Sequence, residues 1–133
     1  MHPLEGLKVV ELARILAGPW VGQSLADLGA EVIKIERPEG DDARRWGPPF
    51  AGEDDGAPAV IFVALNRGKK SVVIDLREED QRDELIDMIG GADVFVHNLR
   101  SDVPKRFGFD GESLTKRFPS LVYANLGAFG HKG

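Results

Sequence analysis

The 133-residue chain contains no cysteine. That absence excludes disulfides, thiolate metal sites and a cysteine nucleophile together, and it permits a reducing compartment. No apolar run approaches the roughly 18 residues of a membrane span. The opening Met1-His2-Pro3-Leu4-Glu5-Gly6 lacks the basic region and apolar stretch of a secretory signal. A cytoplasmic protein with no membrane association is the expectation. Positive charge is not in excess either. The 17 basic and 22 acidic residues give a formal net charge of −5, which argues against general nucleic-acid binding, where phosphate neutralisation dominates affinity. The 42% hydrophobic and 29% charged content is ordinary for a single globular domain. A chain of this length buries roughly 70% of the surface its unfolded form exposes, so a core needs no covalent or metal staple.

The order of elements follows from periodicity. Lys8 to Leu12 and Glu31 to Glu36 read as strands, the second alternating polar and apolar residues. Between them Gly18-Pro19 opens a helix, with Val21, Leu25 and Leu28 on one face and Gly29 at its end. Arg37 to Pro58 is a long stretch punctuated by glycine and proline, either a binding loop or lid or a mobile insertion, and it is not expected to hold regular structure. Ala59 to Leu65 is read as a short helix, Ser71 to Asp75 as a strand, and Glu78 to Ile89 as a helix ended by Gly90-Gly91. Asp93 to His97, Gly111 to Phe118 and Leu121 to Leu126 follow as strand, short helix and strand. Alternating strands and helices imply parallel pairing, and the fold class is α/β: a Rossmann-like open, mainly parallel sheet with flanking helices. Ligands of such sheets lie beyond the carboxyl ends of the strands. The segments after Leu12, Glu36, Leu65 and His97 are therefore the places to search.

Those segments are rich in cations. The turn after the first strand carries Gly18 and Gly22 but not the full G-x-G-x-x-G pattern, which counts against NAD. Glu36 has the spacing of a ribose-binding carboxylate, and Arg37 beside it suits a phosphate or is simply an exposed arginine. Asn66-Arg67-Gly68-Lys69-Lys70 places three cations around a glycine, a composition that suits a polyphosphate. Arg14, Arg100 and Arg106 extend this basic set, and an anionic nucleotide is the natural ligand. Asn98 and Leu99 offer an amide and an apolar side chain to a base or a pantetheine arm, although Asn is also a turn former. His97 is either a general base or a structural histidine.

Several segments together form a specific signature: GLKVVEL from Gly6, LAGP from Leu16, LADLGAEVIKIERPEGDD from Leu25, NRGKKSVVIDL from Asn66, ADVFVHNLR from Ala92, KRFGF from Lys105 and YANLGAFGHKG from Tyr123. They resemble the N-terminal portion of the family III (CaiB/BaiF type) coenzyme A transferases, over the whole chain. The resemblance implies a Rossmann-like portion of a larger domain, residues 1–133, that binds coenzyme A or acyl-CoA without a metal. The small domain and a returning C-terminal segment would lie outside it. By matching motifs, Leu16 and Ala17 would line the coenzyme and Arg37 would meet its phosphates. Asn66, Arg67, Gly68 and Lys69 would hold the adenosine end, Asn98, Leu99 and Arg100 would wrap the other side, and Arg106 would add a phosphate contact. The family's transferases move CoA between carboxylic acids through an aspartyl mixed anhydride, and its racemases exchange an α-proton with histidine and aspartate. In both, the catalytic positions would fall beyond Gly133, so His131 is not the racemase histidine and this chain alone is expected to be inactive. Interlocked homodimers are implied for the full-length enzyme. A non-catalytic nucleotide-binding subunit completed by a second chain is the alternative from a different class.

Overall fold

Residues 1–130 are described by a computed structural model of the chain. His131 and the last residues of the Gly127–Gly133 segment lie outside the described residues. Among the described residues five parallel strands form one sheet: β1 (Lys8–Leu12), β2 (Glu31–Glu36), β3 (Lys70–Val73), β4 (Val94–His97) and β5 (Val122–Asn125). Their spatial order is β3-β2-β1-β4-β5, so the chain builds outward from β1 in one direction and then the other. β1 is the point where that order reverses, with β2 on one side and β4 on the other. The expected α/β architecture is the observed one.

Helices cover both faces. α1 (Ala17–Asp27) and α2 (Val60–Asn66) pack against each other, and α1 closes the face formed by Val9, Val32 and Val96 with Val21 and Leu25. The opposite face carries the larger core. There Val10, Leu12, Ile35 and Phe95 meet Leu85 and Ile89 of α3 (Glu79–Gly90) and Leu114 of α5 (Gly111–Arg117). Each of these large apolar side chains stabilises the fold by about 1.5–3 kcal/mol through removal from water. Phe95 is the hub, edge-on to Phe109 with ring centroids 6.4 Å apart.

The expected end of α3 at Gly90-Gly91 is observed, with Gly90 its last residue and Gly91 its C-cap, and the Phe118 ring packs where a Cβ on Gly90 would come within 2.7 Å. Two local expectations need correction. A further helix, α4 (Asp102–Phe107), was not anticipated from the sequence. Its signals are nevertheless present: Asp102 and Pro104 in the first turn, Lys105 and Arg106 in the last, and Gly108 at φ +77° just beyond. The 37–58 stretch also holds regular structure, a 3₁₀ turn at Asp42–Arg45 capped by the Asp41 side chain. The same stretch is tied to the start of α2 by Ala59 N–H to Arg44 O at 2.8 Å and Val60 N–H to Pro49 O at 3.0 Å.

Candidate functional site

A cleft of about 410 Å³ opens beyond the carboxyl ends of β1, β2 and β3. Its floor is apolar, from Leu12, Ile35 and Ile74, with Leu99 and Val103 closing one side. Its rim is charged and carries three arginines, Arg14, Arg37 and Arg77. Arg37 donates to the Gly40 carbonyl at 3.0 Å and pairs closely with Asp42. Arg14 lies 3.6 Å from the same carboxylate. Arg77 forms a bidentate pair with Asp75, at 2.8 and 2.7 Å, and reaches Glu39 at 3.5 Å. The side-chain hydrogen bonds of Asp75 hold Arg77 protonated well above the ordinary arginine range, and Arg77 in turn holds Asp75 down at about 2. Asp75 grips the Arg77 guanidinium in the fork geometry that phosphate oxygens also adopt.

Beneath the rim lies a buried ionic layer that the sequence reading missed. The polar positions of β1 and β2 do not face solvent: Glu11, Lys34 and Glu36 are each buried on the side of the sheet covered by α1. Parallel register sets Glu11 directly beside Lys34. The Lys34 ammonium lies 3.3 Å from Glu11, 3.0 Å from Asp41 and 2.8 Å from the Ala13 carbonyl. Glu36 accepts from Arg44, Ser71 and the Asp41 N–H, so it is committed inside the fold and is not placed as a ribose ligand. An alternating strand usually signals one wet face. Here the second face is closed by a helix and neutralised by ion pairs.

The anticipated site residues fall into two groups. Leu16 and Ala17 begin α1 at the sheet's reversal point, both exposed, and Arg37 and Leu99 line the cleft. Asn98 is turned inward as a clamp. Its amide oxygen accepts the Arg14 N–H at 3.0 Å and its NH₂ donates to the Arg14 carbonyl at 2.8 Å. Arg100 is 83% exposed and forks onto Asp102 beside a second hollow, of about 560 Å³, between the ends of β4 and β5. The second group is elsewhere. Asn66, Arg67, Gly68 and Lys69 form the turn into the amino end of β3, because Leu65 belongs to a helix and not to a strand. Arg67 pairs with Asp27 at 2.6 Å and Gly68 supplies the turn's φ of +75°. The Lys69 side chain is only 1% exposed, 2.7 Å from Glu11 and 2.8 Å from the Pro19 carbonyl. Burial pushes its pKa down, opposed by Glu11. Arg106 sits on α4 with its guanidinium 5.2 Å from the Phe107 ring centre.

Arg77 is the rim residue that sequence reasoning omitted. The signal was available, since Arg77 follows shortly after the true end of β3 and the carboxyl-edge rule points there. His97 is buried, 2.6 Å from the Tyr123 hydroxyl through Nε2, and its Nδ1 accepts the Leu99 N–H at 3.3 Å. Burial pushes its pKa down to about 4, so it is a neutral anchor for the β4 exit. Among the described residues no group of three or more acidic or histidine side chains is placed to hold a metal ion. None of the described helices is long and apolar enough to cross a membrane.

An open parallel sheet that reverses at β1, with a charged cleft at its carboxyl edge, defines an α/β protein of the class that receives ligands at that edge. Residues 4–133 match CoA-transferase family III, and the chain belongs to that family. It is similar to the succinate–glutarate CoA-transferase of Agrobacterium fabrum, with 47% identity over 98% of this chain and 34% of that protein. It is similar also to the human succinyl-CoA:glutarate CoA-transferase, with 37% identity over 100% of this chain and 30% of that one. Among solved structures, a CaiB/BaiF family protein from Brucella suis superposes with a TM-score of 0.93 at 52% identity, over 99% of this chain and 35% of that one. The chain spans about a third of the length of these relatives and corresponds to their N-terminal part.

Proposed function

We propose that residues 1–133 form the coenzyme-binding part of a CoA-transferase that moves CoA between carboxylic acids. The observation that carries the reading is the arginine-rimmed, apolar-floored cleft at the carboxyl edge of β1–β3, in a family member whose overall charge is negative. The adenosine moiety fits an apolar floor, and its phosphates fit Arg14, Arg37 and Arg77 in place of the carboxylates that now pair with them. Leu16, Ala17, Asn98, Leu99 and Arg100 flank the path of the pantetheine arm. The Asn66–Lys69 turn and Arg106 are assigned to the coenzyme by resemblance alone, since they lie apart from the cleft. In the reaction, a carboxylate oxygen attacks the thioester carbonyl, the CoA thiolate leaves, and a mixed anhydride results. That carboxylate comes from an aspartate outside residues 1–133, so this chain alone binds but does not turn over. The proposal includes acyl-CoA and a free carboxylic acid as substrates, a homodimer for the full-length enzyme, and a cytoplasmic setting, in which a fold without disulfides meets no redox obstacle.

Calorimetric titration of the chain with CoA, 3′-dephospho-CoA and NAD tests the reading. CoA binding that weakens without the 3′-phosphate and by about tenfold in Arg37→Ala is expected, the loss of one charge-assisted phosphate contact. A folded chain that binds none of the three, or NAD as well as CoA, would refute it.

A further inference from the structure

The turn joining β1 to α1 cannot hold its own shape. Ile15, a β-branched residue, sits at φ +72°, in the left-handed region where such side chains are rare. No other described residue besides glycine has a positive φ. A residue kept in this region has to be over-determined by its surroundings, and such strain concentrates at ligand sites.

The surroundings here are side chains that reach the backbone groups of the turn. Lys34 donates to the Ala13 carbonyl, Asn98 brackets both polar groups of Arg14, and Asp41 takes the Ile15 N–H on both carboxylate oxygens at 3.1 and 3.2 Å. Asp41 is suited to that task. It is 1% exposed, fixed by the Ala43 N–H at 3.0 Å and by the Lys34 ammonium at 3.0 Å. Its own N–H is held by Glu36 at 3.0 Å. It thus transmits the position of β2 to the loop that follows β1.

We infer that Asp41 is a positioning residue: its carboxylate holds Ile15 in the left-handed conformation and so sets Arg14, Leu16 and Ala17 for the ligand. The ligand part of this inference rests on the CoA reading above; the conformational part does not.

The test combines amide hydrogen exchange at Ile15 with CoA titration, in wild type, Asp41→Asn, Ile15→Gly and the double variant. Asp41→Asn is expected to lower Ile15 protection at least tenfold and to weaken CoA about tenfold, the effect of a binding-competent turn populated a tenth of the time. Glycine adopts φ +72° without strain, so the double variant regains most of the lost affinity. A purely structural role for Asp41 would give no such rescue. Unchanged Ile15 protection in a folded Asp41→Asn chain would overturn the inference. Should Asp41→Asn not fold, Ile15→Gly and Ile15→Ala decide. A held left-handed turn makes the glycine variant more stable, by about 3–5 °C in Tm, and a relaxed turn reverses the order. Absence of CoA binding by the folded wild type would overturn the CoA reading, and the exchange result by itself then upholds or overturns Asp41's hold on the turn.

Discussion

Replacing Glu36 by glutamine should destabilise the chain at neutral pH, and the deficit should fade in acid. The carboxylate accepts Arg44 Nε at 2.7 Å, Arg44 Nη2 at 2.6 Å, the Asp41 N–H at 3.0 Å and Ser71 Oγ at 2.8 Å. Burial pushes this carboxyl up, but Arg44 and the other donors outweigh burial and hold it down at about 2, against 4.5 when unperturbed. At about 1.4 kcal/mol for each tenfold change in proton affinity, that interval sets a ceiling of about 3.5 kcal/mol. Arg44 is a third exposed, and solvent screening lowers the figure to about 2 kcal/mol. Because the folded pKa is the lower one, the contribution is complete above about pH 4.5 and disappears as pH falls through about 2, with more than half gone by pH 3. Glutamine keeps one acceptor and turns an NH₂ toward other donors. Urea unfolding of wild type and Glu36→Gln at pH 7, 5 and 3 should show a loss of about 2–3 kcal/mol at pH 7 that shrinks to below about 1 kcal/mol at pH 3. Equal midpoints at pH 7, or a difference undiminished at pH 3, would refute the reasoning.

Lys69→Met should cost about 2–4 kcal/mol in the same unfolding assay by leaving the buried Glu11 with Lys34 as its remaining partner; a loss of CoA affinity with stability intact would instead place its ammonium on the ligand. Gly22→Ala puts a Cβ 1.7 Å from Glu11 Oε2, so it should destabilise by about 2 kcal/mol or more through displacement of that ion pair, read as a fall in Tm. His97, held down at about 4, should show ring NMR signals that do not move between pH 8 and pH 5. The stability gained by keeping it neutral is present above its ordinary pKa of 6.5 and is lost as pH falls through about 4.

The alternation of strands and helices was legible because each element announces itself locally: β-branched runs for β1, β2 and β4, Gly18-Pro19 for the start of α1, acidic residues opening α3. The parallel sheet followed from their order. α4 was legible in principle, through Asp102, Pro104 and Gly108, but its six residues carry too little periodicity to stand out. The ionic layer was not legible at all. Glu11, Lys34, Asp41 and Lys69 lie up to 58 residues apart, and only register in a parallel sheet brings them together. The same holds for the cations read as a phosphate cluster. Composition identifies Lys69 and Arg67 as basic, but whether a lysine meets solvent or a buried glutamate is decided by α1 folding over it.

The two halves of the α1-side face explain why charge was placed where it is costly. Toward the amino ends the face is apolar, with Val9 between Val32 and Val94, and such contacts are strong but non-directional. Toward the carboxyl ends it becomes Glu11, Lys34 and Glu36. Replacing buried ion pairs by packed apolar residues is often neutral or stabilising, so stability alone does not account for them. What ion pairs and hydrogen bonds add is direction. Lys34 fixes the Ala13 carbonyl, and Glu36 fixes the Asp41 N–H, through which Asp41 fixes Ile15. An apolar layer in the same place would keep the sheet and release the loops. Glu11→Leu with Lys34→Met, Lys69→Met and Asp41→Asn removes the charges of Glu11, Lys34, Lys69 and Asp41 together and leaves none of them unpaired, so it should leave global stability within about 1–2 kcal/mol of wild type, while Ile15 loses its exchange protection and CoA affinity falls. A quadruple variant that stays folded and retains both would show that the turn is held by packing, and that the ionic layer positions nothing.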